Sequence, residues 1–197
     1  MLVYIDHYDS FTDILIDYFK QLKIEVKVIK SDQVTIEKVR AINPEYIVIG
    51  PGPGHPEDVS LTDIYDMFEY YCDKLPILGI CLGHQIICRF FGAKIKRLSV
   101  VQHGLVSTLS NAQGIMFESL GKIEVTRYHS LIASNLDFPS CLKITATCMD
   151  GDDSAIMACE HNDYPIYGLQ FHPEAIMTSH GLKILENFLA IKKKQPY

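Results

Sequence analysis

From Leu75 to Gly92 the chain reads LPILGICLGHQIICRFFG, and no other stretch limits the possible folds so sharply. The apolar run through Ile77 and Leu78 reads as a buried strand, and from His84 onward apolar residues recur at helical spacing. Strand and helix therefore meet at Gly79-Ile80-Cys81-Leu82-Gly83, with no residues left over for a loop. A turn that tight presses its flanking positions against neighbouring backbone, so they must be small, and it holds the central side chain exposed above the end of a sheet. The passage points to an α/β chain.

The first half repeats this alternation. LVYI from Leu2 reads as a first strand, and Phe11, Ile14, Leu15, Tyr18, Phe19 and Leu22 mark one face of a helix. EVKVIK and TIEKVRAI follow as a strand and a short helix closed by Asn43-Pro44. YIVIG is a buried third strand; Leu61, Ile64, Tyr65, Phe68, Tyr71, Cys72 and Leu75 form another helical stripe; PILGI is the fourth strand. This order predicts an open, mostly parallel twisted sheet flanked by helices. The second half is richer in strands, with KIKRLSV, IEVTRYHSL, LKITATCM, SAIMACEH and IYGLQFH, and predicts an additional antiparallel β region. It ends in a helix bearing Leu182, Leu185, Phe188 and Leu189. No repeat or linker divides the 197 residues, so one domain over 1–197 is expected.

Charge and cysteine usage narrow the class. A net charge of -6 gives nucleic acid no basic surface, and Lys192, Lys193 and Lys194 read as the solvated end of the last helix. Six scattered cysteines without a CxxC pair read as thiols in a reducing compartment. The start MLVYIDHYDS lacks the basic residues of a signal peptide, and no stretch approaches the ~18 apolar residues of a membrane span. A soluble cytoplasmic protein is expected, with no membrane or nucleic-acid partner.

In open α/β sheets ligands sit beyond the carboxyl ends of the strands, so DHYDSF, GPGPGHP, Cys81 and HPE are the segments to inspect. Cys81 stands in G-x-nucleophile-x-G spacing, with the Leu82 amide and a helix start placed to stabilise a thiolate and then an oxyanion. Cys72, Cys88, Cys141, Cys148 and Cys159 read as buried core thiols. A thiol with a reference pKa of ~8.5 works best beside a base. His172 in QFHPE supplies one at another strand end, and Pro173 stiffens the connection so that Glu174 can turn back and fix the ring's tautomer. GPGPGHP from Gly50 is a rigid loop, poor in side chains, whose amides can approach a substrate; alone it reads equally as a surface turn. No G-K-[ST] follows, so it is not a phosphate loop.

Taken together, GICLGHQ, GPGPG, YHSL and FHPE resemble the class I (triad) glutamine amidotransferases, whose core is flavodoxin-like. YDSFT and His103-Gly104 narrow the resemblance to the small subunits of anthranilate synthase and aminodeoxychorismate synthase, from the first strand to the last helix. The resemblance implies release of ammonia from L-glutamine and its delivery to a chorismate-using synthase subunit. It implies Cys81 as nucleophile, His172 as proton shuttle, Glu174 as its orienter, and the Gly52 and Leu82 amides as oxyanion hole. Glutamine contacts fall on Gly52, Pro53, Gly54, Gln85, Ser130 and Leu131, and no metal or cofactor is implied. His7 stands where the family usually has Asn, Asp13 where Tyr or Trp is frequent, and Ala175 where Ser is common; His7 and Asp13 are expected near a partner-docking rim. Rival readings are the glutaminase component of a GMP or carbamoyl phosphate synthetase, a free-standing γ-glutamyl cysteine hydrolase, and a non-catalytic binding module.

Overall fold

The computed structural model describes residues 1–98, 101–151 and 153–191; the lysine run at 192–194 lies outside them. The first half alternates as β1 (Leu2–Asp6), α1 (Thr12–Gln21), β2 (Val26–Lys30), α2 (Ile36–Ile42), β3 (Tyr46–Ile49), α3 (Thr62–Tyr71), β4 (Ile77–Ile80) and α4 (Leu82–Phe90). The second half brings β5 (Ile95–Arg97), β6 (Leu105–Thr108), β7 (Glu124–Arg127), β8 (Leu131–Ala133), β9 (Leu142–Asp150), β10 (Asp153–His161), β11 (Ile166–Leu169) and α5 (Gly181–Leu189).

Seven strands form one sheet in the order β2-β1-β3-β4-β11-β10-β9. The pairs from β2 to β11 are parallel, and β10 and β9 extend the sheet antiparallel. The predicted mixed architecture is present. It follows from the strands' two-residue period: Leu2 and Tyr4 of β1, with Val48, Leu78 and Ile80, enter a core closed by Leu15 and Phe19 of α1 and Ile184, Leu185 and Phe188 of α5. Val3, Ile5, Ile47, Ile49 and Ile77 face the other side, against Val39 of α2, Ile64, Met67 and Phe68 of α3, and Ile86 and Ile87 of α4. Buried on both faces, these strands read as continuous apolar runs.

Several boundaries differ from expectation. Among the described residues of KIKRLSV the strand covers Ile95–Arg97, positions 99–100 lying outside them, and IEVTRYHSL breaks into β7 and β8 because the two halves pair with different partners, β6 and β5. Ile14 and Leu182, assigned to apolar stripes, are exposed, since each stripe is broader than the contact its helix makes. Cys72 and Cys141 are only partly buried, a correction to their reading as core thiols; Cys88, Cys148 and Cys159 are buried. No helix among the described residues is long and apolar enough to cross a membrane.

Candidate active site

The strand-to-helix turn has the predicted form. Cys81 adopts φ 52° and ψ -101°, a region that costs a non-glycine residue roughly 1–3 kcal/mol. The surroundings hold it there: its amide donates to Leu169 O at 2.8 Å, and its carbonyl accepts from the Gln85 amide at 3.1 Å. The flanking glycines are required by contact. A Cβ on Gly83 would lie 2.0 Å from Ile49 O, and one on Gly79 would lie 2.4 Å from the Gly83 carbonyl. Cys81 is less open than a nucleophile standing proud of the sheet: only 7 % exposed, it lines a cavity.

His172 lies just past β11, the parallel neighbour of β4, so a hydrogen-bonded ladder brings ring and sulfur together. Its amide donates to Thr126 O at 3.2 Å and its carbonyl accepts from Thr178 Oγ1 at 2.7 Å, pinning the backbone against β7. Nδ1 donates to Glu174 Oε1 at 2.6 Å, with both side chains buried. Phe11 and Tyr128 wall the ring at centroid distances of 5.0 and 5.3 Å. Burial alone pushes the ring's pKa down, but the neighbouring Cys81 thiol, then the Glu174 carboxylate, raise it to about 10. Nε2 is buried and makes no hydrogen bond among the described residues, as is common at a catalytic base before its substrate is bound. Near neutrality the ring therefore carries a proton.

Two consequences can be measured. The ring's charge stabilises the fold fully below its free value of ~6.5, and that contribution fades as pH rises through about 10. Glu174→Gln removes one of the supporting partners. We expect the wild-type site to keep a working general acid up to about pH 10. The variant should lose kcat by roughly 10²–10⁴, with its alkaline limb moved to lower pH. An unmoved limb in the pH-rate profile would show that Glu174 does not act through the ring.

The cavity at Cys81 has a volume of about 220 Å³ and is bounded by Gly52, Pro53, Gly54, Leu82, Gln85, Tyr128, His129, Ser130 and Leu131. That is amino-acid scale, below the ~300–1,000 Å³ of sites for larger ligands. All seven expected binding positions line it; Tyr128 and His129 join them. Gly52 is required by contact, since a Cβ there would meet the His7 Cβ at 2.2 Å. His7 is thus buried against the loop rather than on a rim, which corrects its expected place, and burial lowers its pKa to about 4. Asp13 is exposed and Ala175 buried.

The far wall is held by groups that periodicity does not reveal. Arg127, 1 % exposed, pairs with Asp150 at 3.3 Å and donates through Nε to His129 Nε2 at 3.1 Å. That bond leaves the His129 proton on Nδ1, which donates to Leu131 O at 3.0 Å. Burial, then the Arg127 charge, lowers the His129 pKa to about 3, so the ring stays neutral. Leu131 O also accepts from Gln85 Nε2, which bonds Gln170 Oε1 at 3.1 Å; Gln170 Nε2 in turn lies 3.7 Å from the Cys81 sulfur. Gln170 was open to view in QFHPE, but only its register beside Cys81 makes it notable. Arg127→Ala leaves the Asp150 carboxylate without its cation but with its hydrogen bond from Gln102 Nε2 at 3.2 Å, and denaturant unfolding should show a loss of about 3 kcal/mol.

Known proteins resemble this chain in sequence and in fold. A sequence model described as glutamine amidotransferase class-I matches residues 3–192. The anthranilate synthase component 2 of Pseudomonas aeruginosa is 42% identical over 192 residues, covering 96% of this chain and 94% of that protein. The aminodeoxychorismate/anthranilate synthase component 2 of Bacillus subtilis is 39% identical over 196 residues, covering 99% and 98%. Among solved structures, a putative GMP synthase protein from Thermoplasma acidophilum superposes with a TM-score of 0.84 at 23% identity, covering 96% of this chain and 92% of that one. At that identity the likeness extends to the fold alone.

Proposed function

The chain belongs to the class-I glutamine amidotransferases, and from that premise we propose that Cys81, His172 and Glu174 hydrolyse L-glutamine to supply ammonia to a chorismate-using synthase subunit. The observation that carries the reading is the meeting, at one end of one sheet, of the strained Cys81, the ring of His172 on its carboxylate, and an amino-acid-sized cavity.

The Cys81 sulfur attacks the side-chain amide carbon of glutamine while its proton resides on His172. The developing oxyanion lies against the amides of Leu82 and Gly52. Leu82 is the first residue of α4, so its N–H has no helical acceptor and lies at the positive end of the helix dipole. His172 passes its proton to the departing nitrogen, the C–N bond breaks, and ammonia leaves a γ-glutamyl thioester. The ring then takes a proton from water, whose oxygen attacks the thioester carbonyl and frees glutamate and the thiol. Glu174 keeps the ring oriented throughout. Gly52, Pro53, Gly54, Gln85, Ser130 and Leu131 hold the amino acid. Two of these, Gln85 and Leu131, are already tied together by a hydrogen bond.

The partner is the kind served by the relatives, which are named as component 2 of anthranilate or aminodeoxychorismate synthase. The six free cysteines support work in the cytoplasm. Glutamine hydrolysis should be slow for the isolated chain and accelerate when a chorismate-using synthase subunit is added, because such sites are often completed by partner contact. Ammonia release and aminated chorismate are the quantities to follow. Strong partner-independent cleavage of γ-glutamyl peptides would favour the free-standing hydrolase instead.

A further inference from the structure

Behind the active site, on the face of α4 turned to the sheet, three soft donors converge. His84 and Cys88 stand four residues apart on the helix and so share one face. Cys159 meets them from β10, at a point where the pairing with β9 slips register between Ala158 and Cys159. Relative exposures are 0%, 0% and 2% for His84, Cys88 and Cys159. Gly168 of β11 makes the room: a Cβ there would stand 2.4 Å from His84 Nδ1 and 3.1 Å from Cys159 Sγ. Cys88 Sγ lies 3.8 Å from Cys159 Sγ and 3.8 Å from His84 Nδ1, and Cys159 Sγ lies 3.7 Å from that nitrogen.

We propose that His84, Cys88 and Cys159 form a buried site for a soft d10 metal ion, with three-coordinate Cu(I) as its occupant. With sulfur at about 2.3 Å and nitrogen at about 2.0 Å from one centre, the donors stand roughly 3.5–4.0 Å apart in tetrahedral or trigonal arrangements. The three donor-donor distances fall within that spacing, but Cys88 Sγ, 3.8 Å from Nδ1 and 3.6 Å from Nε2, lies over the face of the ring, so binding requires the His84 ring or the Cys88 side chain to turn while the backbone stays in place. The donor set is also the right chemistry, because thiolate sulfur selects Cu(I) and zinc over harder cations, and imidazole accepts both. The ring nitrogens of His84 find only these two sulfurs as partners among the described residues, and a thiol is a weak hydrogen-bond partner for a buried imidazole.

Coordination number decides between the two ions. A structural zinc site wants four ligands, and a catalytic one adds water in an open position. Here no fourth His, Cys, Asp or Glu joins the group among the described residues, and the donors are closed to solvent. Three soft ligands without water suit Cu(I). Binding displaces the protons of the sulfurs and fastens α4, whose first turn carries Cys81, to β10.

The test uses the full chain with Cys81→Ser, so that the nucleophilic thiol does not compete. It is titrated anaerobically with Cu(I) against bicinchoninate, and with Zn(II) against a chromophoric chelator. One equivalent of Cu(I) should be retained. Cys88→Ala and Cys159→Ala, added singly, should weaken retention by more than the roughly 10–100-fold that loss of an outer partner costs, with circular dichroism unchanged. If either variant fails to fold, X-ray absorption of the Cu(I)-loaded Cys81→Ser protein decides: a shell of two sulfurs and one nitrogen supports the site, and any other shell overturns it. Failure to hold Cu(I) against the chelator, undiminished binding by the alanine variants, or retention of Zn(II) in preference to Cu(I) would each overturn the assignment.

Discussion

Cys81→Ser is expected to abolish glutamine-dependent amination by the assembled complex, by roughly 10⁴-fold or more, while synthesis from an added ammonium salt continues. The hydroxyl occupies nearly the same place but holds its proton far more tightly than a thiol. The support that the sulfur gives the charged His172 ring is lost in the variant, so the ring must draw a proton from a much weaker acid without the ion pair that a thiolate would form with it. The partner's chemistry asks only for an amine, and the Cys81 cavity, at about 220 Å³, is of amino-acid size. Product formation from glutamine and from ammonium should therefore separate cleanly in the variant. Loss of both in a properly assembled complex would contradict the division of labour.

Gly83→Ala should be among the most damaging single-methyl additions in the chain. Its Cβ would stand 2.0 Å from the Ile49 carbonyl oxygen and 2.8 Å from the carbon, backbone atoms that belong to a central strand and cannot turn aside. Either α4 lifts from β3, opening the core around Ile86 and Ile87, or the elbow rotates and Cys81 leaves its place. Overpacking usually costs about 1–3 kcal/mol when side chains can yield; with backbone as the obstacle we expect a loss above that range. Gly121→Ala is the control, because nothing lies within 4 Å of its Cβ, and it should unfold within roughly 0.5 kcal/mol of wild type. Equal midpoints for the two variants would refute the contact argument.

The elbow and the His-Pro-Glu segment were legible in the sequence because each is a local device. Small residues around one nucleophile, and a proline between two polar side chains, declare their backbone geometry within a few positions. The parallel half of the sheet was legible through its apolar runs. IEVTRYHSL was not, since alternation continues across Tyr128–Ser130, where pairing with β6 ends before pairing with β5 begins. The Arg127–Asp150 pair was invisible for a related reason: a charged residue in an alternating strand reads as solvated, and only long-range packing reveals that it is 1% exposed. His7 shows the reverse error. A polar residue in a strand-end loop suggests a rim, but the bare backbone of Gly52 lets the loop close over it. Gly181 carried no local signal either, although a Cβ there would meet Pro173 O at 1.7 Å, so its bareness is what lets α5 nestle under the His172–Glu174 segment.

Cys81 and His172 are far apart along the polymer yet rise from β4 and β11, adjacent rungs in which Gly79 pairs with Gly168 and Ile80 with Leu169. Their spacing is thus inherited from the sheet and owes nothing to the covalent path that joins them. Opening that path at an outlying hairpin and splicing the original ends elsewhere would leave sulfur and imidazole in register. For redesign of this scaffold, relocating the termini disturbs the reacting pair less than exchanging a single glycine beneath it.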